Sequence, residues 1–247
     1  MTAALTHADL SRGRLLRLLD EIDGGAAGQV SETLVLPAGA PLPPLIAAHP
    51  HVALLEAYRP RAGTGALLLL GEPRSWLVAP PYSLTAALHA PGAHTEPLRE
   101  LLALTPCIAA VLLRLGGWAI GVYQGDTLLQ SRNDARFVKN RHRKGGQSQR
   151  RFDRIREKQV HELFGDLCAE AETRLAPWLG KLDYVAYGGD RHTVQAALKV
   201  CHFLRELPCP VLPRFLTVPE PRHETLQRLP ALLSASHVVT VEEQAAG

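Results

Sequence analysis

The chain has 247 residues, 46% hydrophobic and 21% charged, with a formal net charge of +3. That length and composition suit one large domain or two small ones with a proper core, and they exclude a disordered chain. The densest apolar run, ALLLLG at 66–71, is far shorter than the roughly 18 residues of a membrane span. The first residues also lack the basic-then-apolar order of a secretory signal, so the expected location is the cytoplasm.

Hydrophobic spacing predicts a helix over 10–23, stopped at Gly24-Gly25, and a strand over 31–39 before proline punctuation at 41–44. Residues 64–81 read as two short strands around a turn at Gly71–Pro73. The stretch 82–106 reads as a connection with a helix at 95–104, which places a domain boundary near 95. Residues 107–132 hold apolar runs separated by Gly116-Gly117 and Gly125-Asp126, the pattern of a three-stranded antiparallel meander. Residues 133–147 have no period and too much charge for a core element.

From Ser148 a helical pattern sets in. Phe152, Ile155, Val160, Leu163, Phe164 and Leu167 share one side, while Arg150, Arg151, Arg154 and Lys158 fall opposite and Arg156 intrudes on the apolar side. Pro177 ends this helix after about 28 residues, or roughly 40 Å. A strand follows at 181–190, a helix at 191–207, and strands at 211–218 and 236–243 around a helix at 222–233. The fold class expected is α/β: a mixed sheet, with the meander followed by alternating helices and strands, plus a small N-terminal α+β region. The expected domains are 1–95, of unassigned role, and 96–247.

Cys107, Cys168, Cys201 and Cys209 form no C-x-x-C pair and read as reduced core thiols. His49 and His51 lie two apart, but no carboxylate or cysteine stands at a familiar ligand spacing, so neither a metal nor a cofactor is expected. The charge is informative once divided. Residues 132–158 hold 11 of the 27 Lys and Arg against three acids, a net of +8; the remaining 16 basic and 21 acidic residues give −5. A mildly acidic protein with one concentrated positive stretch is built for a polyanion.

Four Gly-Gly pairs occur. Gly24-Gly25 ends a helix, and Gly116-Gly117 is placed as a hairpin turn. Gly188-Gly189, between a strand and a helix, could face a phosphate but lacks G-x-G-x-x-G. Gly145-Gly146 alone ends no apolar element: it sits at the tip of the basic loop, ahead of a helix. Gln147, next to it, offers amide donor, amide acceptor and backbone N–H without charge. It cannot be a strong general base, but it can position a water and stabilise a developing oxyanion or leaving hydroxyl. Two readings stay open on these residues alone: a loop that carries a neutral amide into a nucleic-acid reaction centre, or a basic loop with no chemistry.

The stretch GGQSQRRFDRIREK (145–158) resembles the catalytic loop and following helix of the class I peptide-chain release factors of eukaryotes and archaea. In that family Gly-Gly-Gln-Ser precedes an Arg-Phe-x-Arg-x-Arg helix, matched by Arg151, Phe152, Arg154 and Arg156. The resemblance runs back to the hairpin GWAIGVYQGDTLLQ and forward to VAYGGD, covering about 107–190. It implies an RNase H-like release-factor catalytic domain over 96–247, with its loop at 133–150. It implies a peptidyl-tRNA hydrolase that cleaves the ester between nascent peptide and tRNA in the peptidyl transferase centre. Gly145 and Gly146 would shape the loop, and Gln147 would place the attacking water. Arg136, Lys139, Arg141, Arg143, Lys144, Arg150, Arg151 and Arg154 would hold RNA. The implied partners are the large ribosomal subunit with its 23S-type rRNA and peptidyl-tRNA, with no membrane and no metal. The N-terminal segment contains no Asn-Ile-Lys-Ser, by which those factors read stop codons, and the chain is too short for their third domain. The resemblance is therefore nearer to the codon-independent release-factor-like proteins that free stalled chains in ribosome-associated quality control. The alternatives are a nuclease that cuts tRNA at its CCA end and a non-catalytic ribosome-binding module.

Overall fold

The computed structural model describes residues 3–44, 46, 49, 51–58, 63–135 and 147–243, with 147–153 as backbone only. The chain forms two compact units. One consists of Met1–Leu104 together with Ala231–Gly247; the other is the contiguous stretch Thr105–Pro230.

In the first unit six strands form an antiparallel sheet: β1 (Ala3–Leu10), β2 (Gln29–Leu36), β3 (Ala66–Glu72), β4 (Arg74–Ala79), β5 (Leu88–Pro91) and β10 (Ser236–Glu243). Their order is β1-β10-β4-β3-β2-β5. Helices α1 (Arg12–Asp23) and α3 (Glu96–Ala103) cover one face through Leu15, Leu19, Ile22, Leu98 and Leu102. The short helix α2 (Val52–Glu56) brings Val52 and Leu55 to a second cluster, with Leu34, Leu68 and Leu70. Alternate residues of β3 feed the two clusters, so Ala66–Leu70 is buried throughout. That is why ALLLLG reads as an unbroken apolar run: a strand covered on both faces has no polar side to alternate with. α1 presents Leu15, Leu19 and Ile22 at i, i+4 and i+7 and stops at Gly25, whose φ of +73° suits glycine.

The boundary expected near 95 falls after Leu104, because α3 belongs to this first unit. Besides burying Leu98 and Leu102, it carries Arg99, which donates to Asp20 at 2.8 Å and Asp23 at 2.7 Å at the end of α1. Strand 236–243 also departs from expectation. It does not extend the second sheet but inserts between β1 and β4, with Val239 opposite both His7 and Leu77.

The second unit contains the expected meander, β6 (Cys107–Arg114), β7 (Gly117–Gln124) and β8 (Thr127–Ala135), followed by β9 (Tyr184–Gly189) parallel to β6. The order is β8-β7-β6-β9, a mixed sheet. Residues 211–218 make only isolated parallel bridges to β9, at Val211 and Leu216: the Leu212 N–H donates to the Val185 carbonyl and the Leu216 N–H to the Tyr187 carbonyl, four residues on one side against two on the other, so the register is lost between them. Long helix α4 (Gln147–Leu175) leads into a 3-10 turn at Ala176–Trp178 containing Pro177. The helix expected at 191–207 is two, α5 (Arg191–Val200) and α6 (His202–Arg205), broken at Cys201, where the backbone is extended (φ −91°, ψ 93°). Cys201 is bonded to Cys168 of α4. The reading of four reduced thiols is thus corrected for this pair, while Cys107 and Cys209 are free and buried.

One core packs Trp118, Ile120 and Val122 of β7 against Leu163, Phe164 and Leu167 of α4 and Val194 of α5. Tyr123, on the opposite face of β7 by strand alternation, donates its hydroxyl to the Leu226 carbonyl of α7 (His223–Leu233) at 2.8 Å. That carbonyl needs an outside donor, since Pro230 four residues on cannot supply the helical N–H. Tyr187 repeats the device, donating to Leu204 at 2.8 Å four residues before Pro208. Burial raises the pKa of both phenols.

Candidate catalytic loop and its supports

The basic loop lies between β8 and α4, and its two stems are held separately. β8 ends at Ala135, paired with Gly117 at the start of β7. Its side chains alternate between two anchors. Gln130 accepts the indole N–H of Trp178 at 2.8 Å, and Arg132 stands 4.0 Å from Glu170, which also accepts from Arg174 at 3.2 Å. On the other side Ser131 meets His223 Nδ1 at 3.2 Å, and Gln227 meets Nε2 of the same ring at 3.2 Å.

The second stem is α4. Gln147 is the first described residue of α4, and the first four N–H groups of a helix have no intrahelical acceptor and sit at the positive end of the dipole. The first buried side chain described in α4 is Leu163, sixteen residues or ~24 Å further on. Between them Arg154, Glu157 and Lys158 are exposed, with Lys158 3.9 Å from Glu162. Arg156, which the periodicity put on the apolar side, is half-buried, and its Nε has no hydrogen-bond partner among the described residues.

Of the expected site residues, Gly145, Gly146, Arg136, Lys139, Arg141, Arg143 and Lys144 lie outside the described residues. Gln147, Arg150 and Arg151 fall in the first turns of α4, described as backbone, and Arg154 is an exposed position of the same helix. Sequence reasoning missed Gln130, Ser131, Arg132, Glu170, Trp178 and His223. Their partners are distant along the chain, and no local pattern reports such a pairing.

Two competing sites resolve into structural roles. A Cβ on Gly188 would collide with Leu216, and Gly189 has a φ of +103° beside the Leu113 carbonyl. The N-terminus of α5 that follows is already occupied by Asp190, which accepts from the Thr193 N–H at 2.8 Å and its hydroxyl at 2.5 Å. Those bonds to Thr193 lower the Asp190 pKa, with smaller help from His192 and Arg114. The His51 ring is buried between Ser75 (2.7 Å) and Glu243 (3.2 Å), and the His51 backbone N–H donates to His49 Nδ1 at 3.2 Å. Burial, then neighbouring His51, lower the His49 pKa. Ser75 is fully buried and bonded to Gly71, so this Ser–His–Glu chain ties strands together and offers no reachable nucleophile. Among the described residues no group of three or more His, Cys, Asp or Glu is placed to hold a metal, and no helix is long and apolar enough to cross a membrane.

Known proteins similar to this chain include peptide chain release factors. The chain is similar to peptide chain release factor subunit 1 of Thermococcus onnurineus, at 28% identity over 148 residues, covering 55% of this chain and 36% of that protein. The counterpart from Archaeoglobus fulgidus is 30% identical over 100 residues, 40% of this chain and 25% of the relative. The chain thus matches between a quarter and about a third of the length of these curated relatives. Among solved structures, the archaeal translation termination factor aRF1 aligns with 91% of this chain and 73% of its own at 18% identity, with a TM-score of 0.36. Archaeoglobus fulgidus Pelota aligns with 92% of this chain and 63% of its own at 12% identity and a TM-score of 0.29. The model of one family, described as the Actinobacteria/chloroflexi VLRF1 release factor, matches residues 106–239, more than half of the chain. The chain belongs to that family.

Proposed function

We propose that this protein is a codon-independent peptidyl-tRNA hydrolase that releases nascent chains from stalled ribosomes or large subunits. The observation that carries the reading is positional: in a chain of a release-factor family, Gly-Gly-Gln ends with its glutamine as the first residue of a long helix. In the proposed reaction water attacks the ester carbonyl, the C–O bond to the tRNA ribose breaks, and the 3′-hydroxyl leaves with a proton. Gln147 is neutral, so it orients the water through its amide while its backbone N–H stabilises the leaving oxygen. Gly145 and Gly146 leave room for the loop backbone beside the ester.

The surrounding cations have a different task. Arg136, Lys139, Arg141, Arg143, Lys144, Arg150, Arg151 and Arg154 are proposed to neutralise phosphates of 23S-type rRNA and of the tRNA acceptor arm, releasing counterions. The codon-independent part rests on residues 1–104, which contain no Asn-Ile-Lys-Ser. The site of action would be the cytoplasm, and the chemistry assigned to the loop needs no cofactor.

The test uses purified large subunits carrying labelled peptidyl-tRNA, mixed with the protein or its Gln147→Ala variant, reading peptide and tRNA 3′ end together. The expected result is free peptide with an intact CCA end, slowed by roughly 10²-fold or more in the variant. Equal rates would remove Gln147 from the mechanism. A shortened tRNA would make the protein a nuclease, and salt-sensitive binding without product would make it a binding module.

A further inference from the structure

We propose that the Cys168–Cys201 disulfide is a thiol-responsive clasp that sets how firmly α4 is held and thereby how Gln147 is presented; its effect on catalysis rests on the hydrolase reading above. Cys168 continues the buried stripe of α4, four residues after Phe164 and three before Ala171. Its partner Cys201 stands where α5 ends and α6 begins. The bond therefore fastens the helix that carries the loop to the junction of the two helices beside it. Beside it, Leu163, Leu167 and Ala171 of α4 pack in one core with Val194, Ala197 and Leu204, and apolar packing slides more easily than a covalent tie. Gln147 lies 21 residues N-terminal of Cys168, or ~31 Å along the helix. A small rotation at the clasp becomes a displacement of ångströms at the glutamine.

The surroundings fit reversible chemistry. Cys168 is half-buried while Cys201 is almost wholly covered, so a small thiol meets the Cys168 sulfur first. Its thiolate attacks that sulfur, the Cys168–Cys201 bond breaks, and Cys201 leaves as a thiolate that takes up a proton. A second small thiol attacks the mixed disulfide and frees Cys168. Two small thiols become one disulfide, and the protein gains two electrons and two protons. A low-molecular-weight disulfide drives the reverse. The other two cysteines stay out of the exchange: Cys107 and Cys209 are buried, and burial raises both thiol pKa values, keeping them from the reactive thiolate form.

The experiment compares the full chain isolated without reductant, the same protein after dithiothreitol, and Cys168→Ser. Three quantities are read: free thiols by alkylation and mass, hydrogen exchange over 154–167, and peptide release. The expected results are two free thiols rising to four on reduction, faster exchange over 154–167 in the reduced protein and the variant, and release slowed roughly tenfold. A small oxidised disulfide should restore the reduced wild type but not Cys168→Ser. Four free thiols at the outset, or exchange indifferent to reduction, overturns the clasp; the reduced wild type decides this even where the variant folds poorly. Faster exchange on reduction with no release from either form supports the clasp and overturns the hydrolase reading instead.

Discussion

From Leu163 to Leu175, α4 sends Leu163, Phe164, Leu167, Ala171 and Leu175 into one core, whereas from Arg154 to Glu162 no side chain is buried. One continuous helix thus obeys two sets of rules. The C-terminal half is fixed by removal of apolar surface from water. The N-terminal half extends the ladder past the core and carries charge. The contrast teaches what the length is for: a helix needed only for packing could begin near Val160, and the additional turns hold the first residue away from the core.

Breaking the anchored half should give the largest effect. Leu167→Ala, at a position with 1% exposure, is expected to cost about 2–5 kcal/mol, seen as a lower midpoint in urea with the slope unchanged. Polar anchoring comes next. Tyr123→Phe strands the Leu226 carbonyl opposite Pro230 and should cost about 1–3 kcal/mol, again by urea unfolding. Because burial raises the Tyr123 pKa, the folded state holds that proton longer than the unfolded chain. Stability should therefore fall as pH rises above about 10, and this alkaline limb should shrink in the phenylalanine variant.

A smaller effect is expected at Asp190. Asp190→Ala removes the cap of α5 and should cost about 1 kcal/mol. Since the folded pKa is depressed, that stabilisation is present above the ordinary carboxylate range and is lost as pH falls through the depressed value. Asp190→Asn, which still caps, should keep the stability and flatten the acid limb. The carrying half should tolerate most. Arg154→Ala is expected to move stability by less than about 0.5 kcal/mol, yet to weaken ribosome binding and reduce its salt slope by about one. A large loss of stability in Arg154→Ala would erase the division between the two halves.

Much of this molecule was legible in advance where a period or a turn carried it. α1 and α4 announced themselves by apolar spacing, and the meander by Gly116-Gly117 and Gly125-Asp126. What stayed hidden was decided by partners far along the chain. β1 is mostly exposed and shows no alternation; it is a strand because β10, more than two hundred residues later, pairs with it. The destination of β10 could not be read from SHVVTVEE, which suits either sheet. Cys168 and Cys201, 33 residues apart, gave no spacing from which to infer a bond. At the candidate site, Gln147 and the arginine-rich helix were visible in the motif. The hold of Trp178 on Gln130 was not, since neither residue has an unusual neighbourhood in sequence.

The insertion of β10 between β1 and β4 also sets an order of assembly. During synthesis the stretch Thr105–Pro230 emerges whole and can close its own core, while the earlier Met1–Leu104 waits with a gap in its sheet and two strand edges facing water. The first unit to be made is therefore the last to be finished. Its completion waits on β10, a strand more than two hundred residues beyond β1.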